Sequence, residues 1–167
     1  MKPLRAFPLP LNIGTDICRI SRIYTILQSP RARRFAERVL APEEHGQLAK
    51  FTPLDTPSAK NGGLKTAEDG EGRDSELWKR AAFVAGRFAA KEAAIKAHSH
   101  RRLTFHDIVI EKRAQAAGTS FLGSGPPVAR IKGLTEADED VSAMISISHD
   151  GDYATAVCLA HDPSVAA

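Results

Sequence analysis

The chain has 167 residues, of which 43% are hydrophobic and 26% charged, a balance typical of a globular domain with a hydrophobic core. The formal net charge of +3 and the pI of about 9.0 favour an acidic partner: nucleic acid, an acidic protein or a phosphate-rich small molecule. Cys18 and Cys158 have no metal-like spacing, so we expect a reducing compartment and no disulfide. No apolar run reaches the roughly 20 residues that a membrane span requires, and we expect no membrane partner.

The N-terminal residues 1–10 contain Lys2, Arg5 and three prolines. This segment is too short and too rich in proline for a secretory signal, and one interpretation is the remnant of an organelle-targeting segment.

The first regular element is predicted at Leu11 to Ile17, where the side chains alternate as in a half-buried strand. Leu11, Ile13, Thr15 and Ile17 share one face, and Asn12, Gly14 and Asp16 share the other. We expect Gly14 to leave room beside the Asp16 carboxylate. Asp16 itself is either a functional carboxylate or the cap of a short helix over 18–28.

A basic segment follows, in which Glu37 is the opposing charge between positions 19 and 38. Ser29-Pro30 predicts one helix start, and Pro42-Glu43-Glu44 predicts another helix that runs to about Phe51. The arginines form either a solvated face or a docking surface for an acidic macromolecule. Few aromatic residues lie between them, so base stacking is poorly supported and we expect no nucleic-acid partner. The arginines are Arg19, Arg22, Arg31, Arg33, Arg34 and Arg38.

Residues 52–76 are rich in Pro, Gly, Ser and charge, and they predict a long flexible loop before a helix that begins near Leu77. Within that helix, residues 83–97 are dense in alanine, and Ala89, Ala90, Ala93 and Ala94 make a flat face suited to a sheet. The opposite arc can hold a phosphorylated ligand and a metal ion, or it can be a solvated face with an ordinary Glu92–Lys96 pair. Its members are Arg87, Phe88, Lys91, Glu92, Ile95 and Lys96.

The C-terminal half predicts strands, with an acidic turn at 136–140 and a hairpin turn at Asp150-Gly151. Together with the long helix they predict an α+β fold in which an antiparallel sheet packs against that central helix. In the strand 144–149, Ile145 and Ile147 should point inward and Ser146 and Ser148 outward. His149 ends this strand. It is either simply exposed, or it binds phosphate as a hydrogen-bond donor, or it carries protons near neutral pH. The predicted strands are 103–112, 119–122, 127–132, 144–149 and 153–159.

Two carboxylates, Asp16 and Glu92, suit a hard cation with oxygen ligands, most naturally Mg²⁺ held together with substrate phosphates. Arg87, Lys91 and Lys96 suit those phosphates. Neither a Walker A motif nor G-x-G-x-x-G is present, so the common nucleotide-binding loops are absent from the sequence.

Four blocks, in order, resemble the holo-acyl-carrier-protein synthases, the small stand-alone class of 4′-phosphopantetheinyl transferases. The most specific is FVAGRFAAKEAAIKA at 83–97, which is similar to the family motif [FW]-x-x-K-E-[AS]-x-x-K. The others are IGTDICRISRI at 13–23, RRFAERVLAPEE at 33–44 and SISHDGDYATAV at 146–157.

The resemblance implies a 4′-phosphopantetheinyl transferase fold and transfer of the 4′-phosphopantetheine arm of coenzyme A to a serine of an apo acyl carrier protein, a step in fatty acid biosynthesis and lipid metabolism. By position, Asp16 and Glu92 match the Mg²⁺ ligands, and Lys96 matches a lysine that contacts a phosphate near the reacting centre, which makes Glu92 and Lys96 the catalytic pair. Residues at the predicted coenzyme A site are Arg87, Phe88, Lys91, Lys96, Ser148 and His149. Residues that match the grip on an acidic helix of the carrier protein are Arg22, Arg34 and Arg38.

The resemblance further implies a homotrimer with its active sites at subunit boundaries. We expect one domain over 1–167, with residues 52–76 as an insertion, residues 97–102 replacing a glycine-rich loop, and a longer 111–127 region than is usual. The insertion and the N-terminal composition favour a mitochondrial enzyme, with a cytoplasmic one as the alternative. Two competing hypotheses, a non-catalytic basic protein-binding module and a small RNA-binding domain, need neither Asp16 nor Glu92.

Overall fold

The computed structural model describes residues 9–48, 74–113 and 125–163. These residues form a five-stranded antiparallel sheet in the order β1-β5-β4-β3-β2, and the helix α4 lies across one face of it. This confirms the predicted α+β fold. The elements in chain order are β1 (Leu11–Arg19), α1 (Ile20–Leu27), α2 (Ala32–Val39), a 3₁₀ turn (Pro42–Glu44), α3 (His45–Leu48), α4 (Ser75–Ala97), a second 3₁₀ turn (Phe105–Asp107), β2 (Ile108–Lys112), β3 (Pro127–Ile131), β4 (Val141–Asp150) and β5 (Tyr153–His161).

The helix α4 presents small side chains to the sheet, as its alanine content predicted. It begins two residues earlier than expected, because Asp74 caps it by accepting a hydrogen bond from the Leu77 amide at 2.9 Å. Side chains this small let a sheet approach the helix backbone closely. The fully buried alanines are Ala81, Ala85, Ala89, Ala90, Ala93, Ala94 and Ala97.

At Gly14 the strand β1 approaches the backbone of α4 closely. A Cβ atom at this position would lie 2.0 Å from the carbonyl oxygen of Ala93 and 2.7 Å from the amide nitrogen of Ala97. The prediction that Gly14 leaves room beside Asp16 was therefore wrong, because the helix backbone fills that space.

The two faces of β1 are buried in the opposite sense to what their hydrophobicity indicates. Ile13 and Ile17 are 70% and 64% exposed, whereas Gly14 and Cys18 face the helix and are buried. The close approach of α4 explains this, since only small side chains fit between strand and helix. In β4 the alternation is as predicted: Ile145 and Ile147 point inward, and Ser146 and Ser148 are exposed.

The N-terminus of α1 is capped from across the chain. The amide and the hydroxyl of Ser21 each donate to the carboxylate of Asp152 at 2.8 Å, and the Ile20 amide donates to the Asp152 carbonyl. Asp16 is therefore not the helix cap. Asp152 lies in the β4–β5 hairpin turn, which Gly151 makes possible with a φ of +52°, and this confirms the predicted hairpin.

Two further predicted boundaries shift. The helix α2 begins at Ala32, because the Ser29 hydroxyl forms a turn by donating to the Ile26 carbonyl and accepting from the Arg31 amide. The strand β2 begins at Ile108, because Thr104 donates twice to Asp107 and closes a 3₁₀ turn.

The predicted loop at 52–76 lies outside the described residues except for 74–76, which belong to the start of α4. The predicted strand at 119–122 and the end of the helix near Phe51 also lie outside them. Among the described helices, none combines the length and the apolar character needed to cross a membrane.

We expect Gly14→Ala to destabilise the fold by about 3 kcal/mol or more, because the methyl group would meet backbone atoms, which cannot turn away as a side chain can. Denaturant unfolding of the full chain measures the change. Gly46→Ala is the matched control, since a Cβ there meets no atom within 4 Å. Equal stability of the two variants would contradict the close approach of β1 to α4.

Candidate active site

Asp16 and Lys96 meet where β1 crosses the C-terminal half of α4. The ammonium of Lys96 donates to Oδ1 of Asp16 at 2.8 Å and to the Thr15 carbonyl at 3.0 Å. Lys96 is half exposed, whereas the side chain of Asp16 is 16% exposed. The cation of Lys96 is therefore held on the strand, and the ordinary Glu92–Lys96 pair considered from the sequence is replaced by a contact between two elements.

Oδ2, the second carboxylate oxygen of Asp16, is buried and has no hydrogen-bond partner among the residues that the structure describes. Glu92 lies one helical turn before Lys96 and is partly exposed on the same side of α4. The site thus combines a carboxylate that has an unsatisfied oxygen with a second carboxylate and a lysine. Within 9–48, 74–113 and 125–163, no group of three or more His, Cys, Asp or Glu side chains could hold a metal. Asp16 and Glu92 are carboxylates, the ligand type that Mg²⁺ takes when waters and phosphates complete its shell.

Lys91 lies inside the protein and not on the ligand-facing arc that the sequence predicted. Its side chain is 0% exposed, and its ammonium donates to Oε2 of Glu44 and to the Phe105 carbonyl. Burial lowers the pKa of Lys91, although Glu44 opposes this by favouring the charged form. The prediction that Lys91 contacts a phosphate was wrong, because its charge is already neutralised in the core.

Glu44 is the centre of this buried cluster. It also accepts hydrogen bonds from the amides of Ala41 at 2.9 Å and Ile110 at 3.2 Å. The carboxylate therefore ties the first 3₁₀ turn and the strand β2 to α4. Complete hydrogen bonding of this kind is what makes a buried charge tolerable.

Arg87 lies at the edge of the same cluster. Its Nε is 3.5 Å from Oε1 of Glu44, and its Nη2 donates to Oε1 of Gln47 at 2.6 Å. The guanidinium also stacks 4.8 Å above the ring of Phe83. Burial lowers the pKa of Arg87, and the nearby Glu44 partly offsets that effect. Unlike Lys91, Arg87 retains some exposure, 15% of its side chain.

The ring of Phe88 packs against two other aromatic rings and one guanidinium group. Its ring centroid is 6.5 Å from that of Phe35 and 5.4 Å from that of Phe105, and the guanidinium of Arg22 lies 5.2 Å above it. Arg22 is therefore fixed against α4, where Nη2 also lies 3.6 Å from the Sγ of Cys18.

Arg34 and Arg38 are one helical turn apart on α2, and Arg31 precedes them by a similar spacing at the N-cap. All three are exposed, and the structure gives Arg34 and Arg38 no ion pair with any residue it describes. They form an unneutralised basic face.

Ser148 and His149 lie at the end of β4, beside the middle of α4. Nε2 of His149 is 3.0 Å from the carbonyl oxygen of Ala82, next to Gly86, whereas Ser148 is exposed on the opposite face of the strand. From position 86 to Lys96 is 10 residues of helix, or about 15 Å. The predicted site residues therefore fall into two groups on one chain, one around Lys96 and one around His149.

Sequence reasoning missed three residues that arrange these groups: Glu44, Gly86 and Asp152. Their partners are distant in the sequence, since Glu44 and Lys91 are separated by 47 positions. One local signal existed for Gly86, because an isolated glycine within an alanine-rich helix usually has a packing or functional reason.

A family model described as the 4′-phosphopantetheinyl transferase superfamily matches residues 12–158. The chain is 34% identical over 157 residues to 4′-phosphopantetheinyl transferase B, mitochondrial, of Aspergillus fumigatus, covering 92% of this chain and 95% of that one. It is 33% identical over 149 residues to holo-[acyl-carrier-protein] synthase of Geobacillus kaustophilus, covering 87% and 84%. The crystal structure of a holo-(acyl-carrier-protein) synthase from Bacillus anthracis in complex with CoA (3′,5′-ADP) superposes with a TM-score of 0.53 and 26% identity, covering 89% and 93%.

We expect Glu44→Gln to destabilise the protein by about 3–5 kcal/mol, because it leaves the ammonium of Lys91 buried without a counter-charge. Adding Lys91→Met removes that charge, while the glutamine oxygen still accepts from the backbone, so the double variant should regain at least about 2 kcal/mol. Denaturant unfolding measures each free energy. Glu37→Gln, which breaks the exposed Arg33–Glu37 pair, is the control and should change stability by less than about 0.5 kcal/mol. Strictly additive costs of the two core substitutions would contradict a coupled buried pair.

Proposed function

This chain belongs to the 4′-phosphopantetheinyl transferase superfamily, and we propose that it transfers the 4′-phosphopantetheine group of coenzyme A to a serine hydroxyl of an apo acyl carrier protein. The serine hydroxyl releases its proton to solvent and its oxygen bonds to the phosphorus next to pantetheine. The bond from that phosphorus to the bridging oxygen breaks, and adenosine 3′,5′-bisphosphate leaves with that oxygen and the electron pair. The observation that carries the proposal is the meeting of Asp16 with Lys96, one turn from Glu92, in a chain matched over residues 12–158 by the family.

Lys96 is proposed as the group that stabilises charge on the phosphates during transfer. Its half-exposed ammonium is held at the strand by two oxygen acceptors, so it is oriented before a ligand arrives. A preorganised cation stabilises the developing charge without having to reorient as the bond breaks.

Asp16 and Glu92 are proposed as the Mg²⁺ ligands. The unsatisfied Oδ2 of Asp16 and the all-oxygen donor set fit a hard cation. When bound, the ion would supply neutralisation of charge on the pyrophosphate. The contribution of the chain is to present the two carboxylates with Lys96 beside them.

Coenzyme A is proposed to contact Lys96, Arg87, Ser148 and His149, and to border the ring of Phe88. The guanidinium of Arg87 lies near the protein surface and can approach a phosphate. The ammonium of Lys91 is buried and already paired with Glu44.

The carrier protein is proposed to dock on Arg22, Arg34 and Arg38. The latter two carry unneutralised charge on one face of α2, and an acidic helix would complement them.

A homotrimer with its sites at subunit boundaries is proposed for two reasons. The outer face of the sheet exposes large apolar side chains, among them Ile13, Ile17, Met144 and Val157, and such a patch marks an interface. The two groups of predicted site residues are also about 15 Å apart along α4. A neighbouring chain would bring a second His149 toward Asp16 and Lys96.

A mitochondrial location is proposed from the similarity to the mitochondrial transferase of Aspergillus fumigatus, with the cytoplasm as the alternative. We further propose that residues 1–167 act as one domain, with the segment 52–73 as an insertion. Organelle fractionation of cells that express the full chain tests the location, and recovery in the cytosol alone would contradict it.

Incubation of the full chain with coenzyme A, Mg²⁺ and apo carrier proteins from several pathways should add the mass of one phosphopantetheinyl group to a carrier, as measured by mass spectrometry. Glu92→Gln should lower the transfer rate at least about 100-fold with the circular dichroism spectrum unchanged. Glu76→Gln, on the exposed first turn of the same helix, is the control and should keep full activity. A folded protein that modifies no carrier would favour a non-catalytic binding module.

Arg34→Glu with Arg38→Glu should raise the KM for the carrier about tenfold or more and leave the KM for coenzyme A unchanged, because the basic face would repel an acidic helix. Steady-state kinetics at low and moderate salt measure both constants. Lys112→Glu changes an exposed lysine at the end of β2 and serves as the control. An equal rise in both KM values would exclude the docking role.

Ile13→Lys should convert the proposed trimer to monomers and lower activity. The lysine places a charge in an apolar interface, and the free energy of desolvating that charge exceeds the free energy that the apolar contact contributes. Light scattering after size-exclusion chromatography gives the mass. Leu134→Lys, which is equally exposed but lies in the loop after β3, should leave the assembly intact. A wild-type protein that elutes as a monomer would refute the assembly.

A further inference from the structure

The imidazole of His149 rests on α4 at a position where the helix has no side chain. Its Nε2 lies 3.0 Å from the Ala82 carbonyl oxygen. A Cβ atom on Gly86 would lie 2.8 Å from Nε2, closer than real Cβ atoms approach, and 3.1 Å from Cε1, a tight contact. Glycine at position 86 is therefore what allows the ring to reach the Ala82 carbonyl.

The contact also fixes which nitrogen of His149 is available. A carbonyl oxygen can only accept a hydrogen bond. Nε2 therefore carries a hydrogen and donates a hydrogen bond to the Ala82 carbonyl oxygen. The residue is otherwise exposed, and in the described part of the chain it makes no other hydrogen bond or ion pair. Nδ1, on the other side of the ring, is left for a ligand.

Glycine is a poor helix former, and Gly86 stands in the middle of a 23-residue helix that is otherwise rich in alanine. A Cβ there would meet no backbone atom among its three nearest neighbours; the third is Cγ2 of Ile147 at 3.4 Å, an ordinary contact. Packing of helix on sheet therefore does not require glycine at this position, in contrast to Gly14. The contact of the His149 ring with the Ala82 carbonyl does require glycine at position 86.

We propose that Gly86 is a positioning residue for the transfer reaction, which seats His149 with Nε2 on Ala82 and Nδ1 toward coenzyme A. This rests on the proposed function, in which His149 contacts coenzyme A. Gly86 itself touches no substrate and acts through the imidazole.

Gly86→Ala should leave the fold intact, because the far end of a side chain can turn away where a backbone cannot. The value of kcat/KM for coenzyme A should fall about tenfold, while the KM for the carrier stays unchanged. In a His149→Ala background, Gly86→Ala should change kcat/KM less than twofold, because nothing is left to position. Equal losses in both backgrounds, or no loss in the wild-type background, would overturn the proposal.

A second measurement does not depend on activity. In ¹H–¹⁵N spectra of the imidazole groups, His149 should show the tautomer with the proton on Nε2, and Gly86→Ala should shift both of its ring nitrogen signals. Gly46→Ala, where a Cβ meets nothing within 4 Å, should shift neither. If the His149 signals do not respond to Gly86→Ala, the contact of His149 with α4 is refuted, whether or not a carrier is modified. Shifted signals in a protein that modifies no carrier confirm this contact and refute the proposed function instead.

Calorimetry with adenosine 3′,5′-bisphosphate, the product of the proposed reaction, connects the two measurements. Gly86→Ala should weaken its binding about tenfold, and Gly46→Ala should leave it unchanged. A product affinity that Gly86→Ala leaves unchanged would contradict the placement of Nδ1 toward the ligand.

Discussion

The approach of β1 to α4 with almost no side chain between them is the constraint on which the rest of the structure depends. Gly14 lies against the carbonyl of Ala93 and the amide of Ala97, so the strand crosses the helix within one turn of Lys96. Asp16 lies two residues further along the same face of β1 and accepts a hydrogen bond from the ammonium of Lys96. The contact between Asp16 and Lys96 is therefore a consequence of backbone packing, and any side chain at position 14 would move the carboxylate away from its lysine.

A buried carboxylate then decides which cations of α4 are structural. Lys91 and Lys96 look equivalent in the sequence, since both lie on a charged arc of an alanine-rich helix. Glu44 removes Lys91 from that set by holding it at zero exposure, and the same carboxylate leaves Arg87 at the surface edge with part of its charge neutralised. Lys96, which has no such partner in the core, remains half exposed and meets Asp16. A helix with many cations can thus serve both stability and ligand binding, provided that one acid is buried beside it.

Local patterns in the sequence were sufficient for the long helix and for most of the strands. The alanine face, the β4–β5 hairpin and the alternation of Ile145 and Ile147 were all predicted, because each depends on neighbours within a few residues. The roles of Gly14, Glu44 and Asp152 were not, because each depends on a partner that only the fold brings close: Ala93, Lys91 and Ser21. Hydrophobicity alone would place the isoleucine face of β1 in the core, and that rule fails where a helix backbone fills the buried side. Asp16 and Glu92 were paired from the chemistry of their side chains, and the resemblance to known transferases then supplied the role of Mg²⁺ ligands, which stays a prediction.

The same packing that positions Asp16 also accounts for the outer surface of the sheet. A helix faced with alanine admits only small residues from β1 and β5, and the inward positions are accordingly glycine, cysteine and alanine, as at Gly14, Cys18 and Ala156. Strands nevertheless favour β-branched and aromatic residues, which must then lie on the other face. Ile13 and Ile17 are placed outside for this reason, next to β5 residues such as Val157. An apolar outer face is stable in water only when something covers it. The packing that brings Asp16 close to the helix therefore also places large apolar side chains on the outer face of the sheet, where the proposed assembly would cover them.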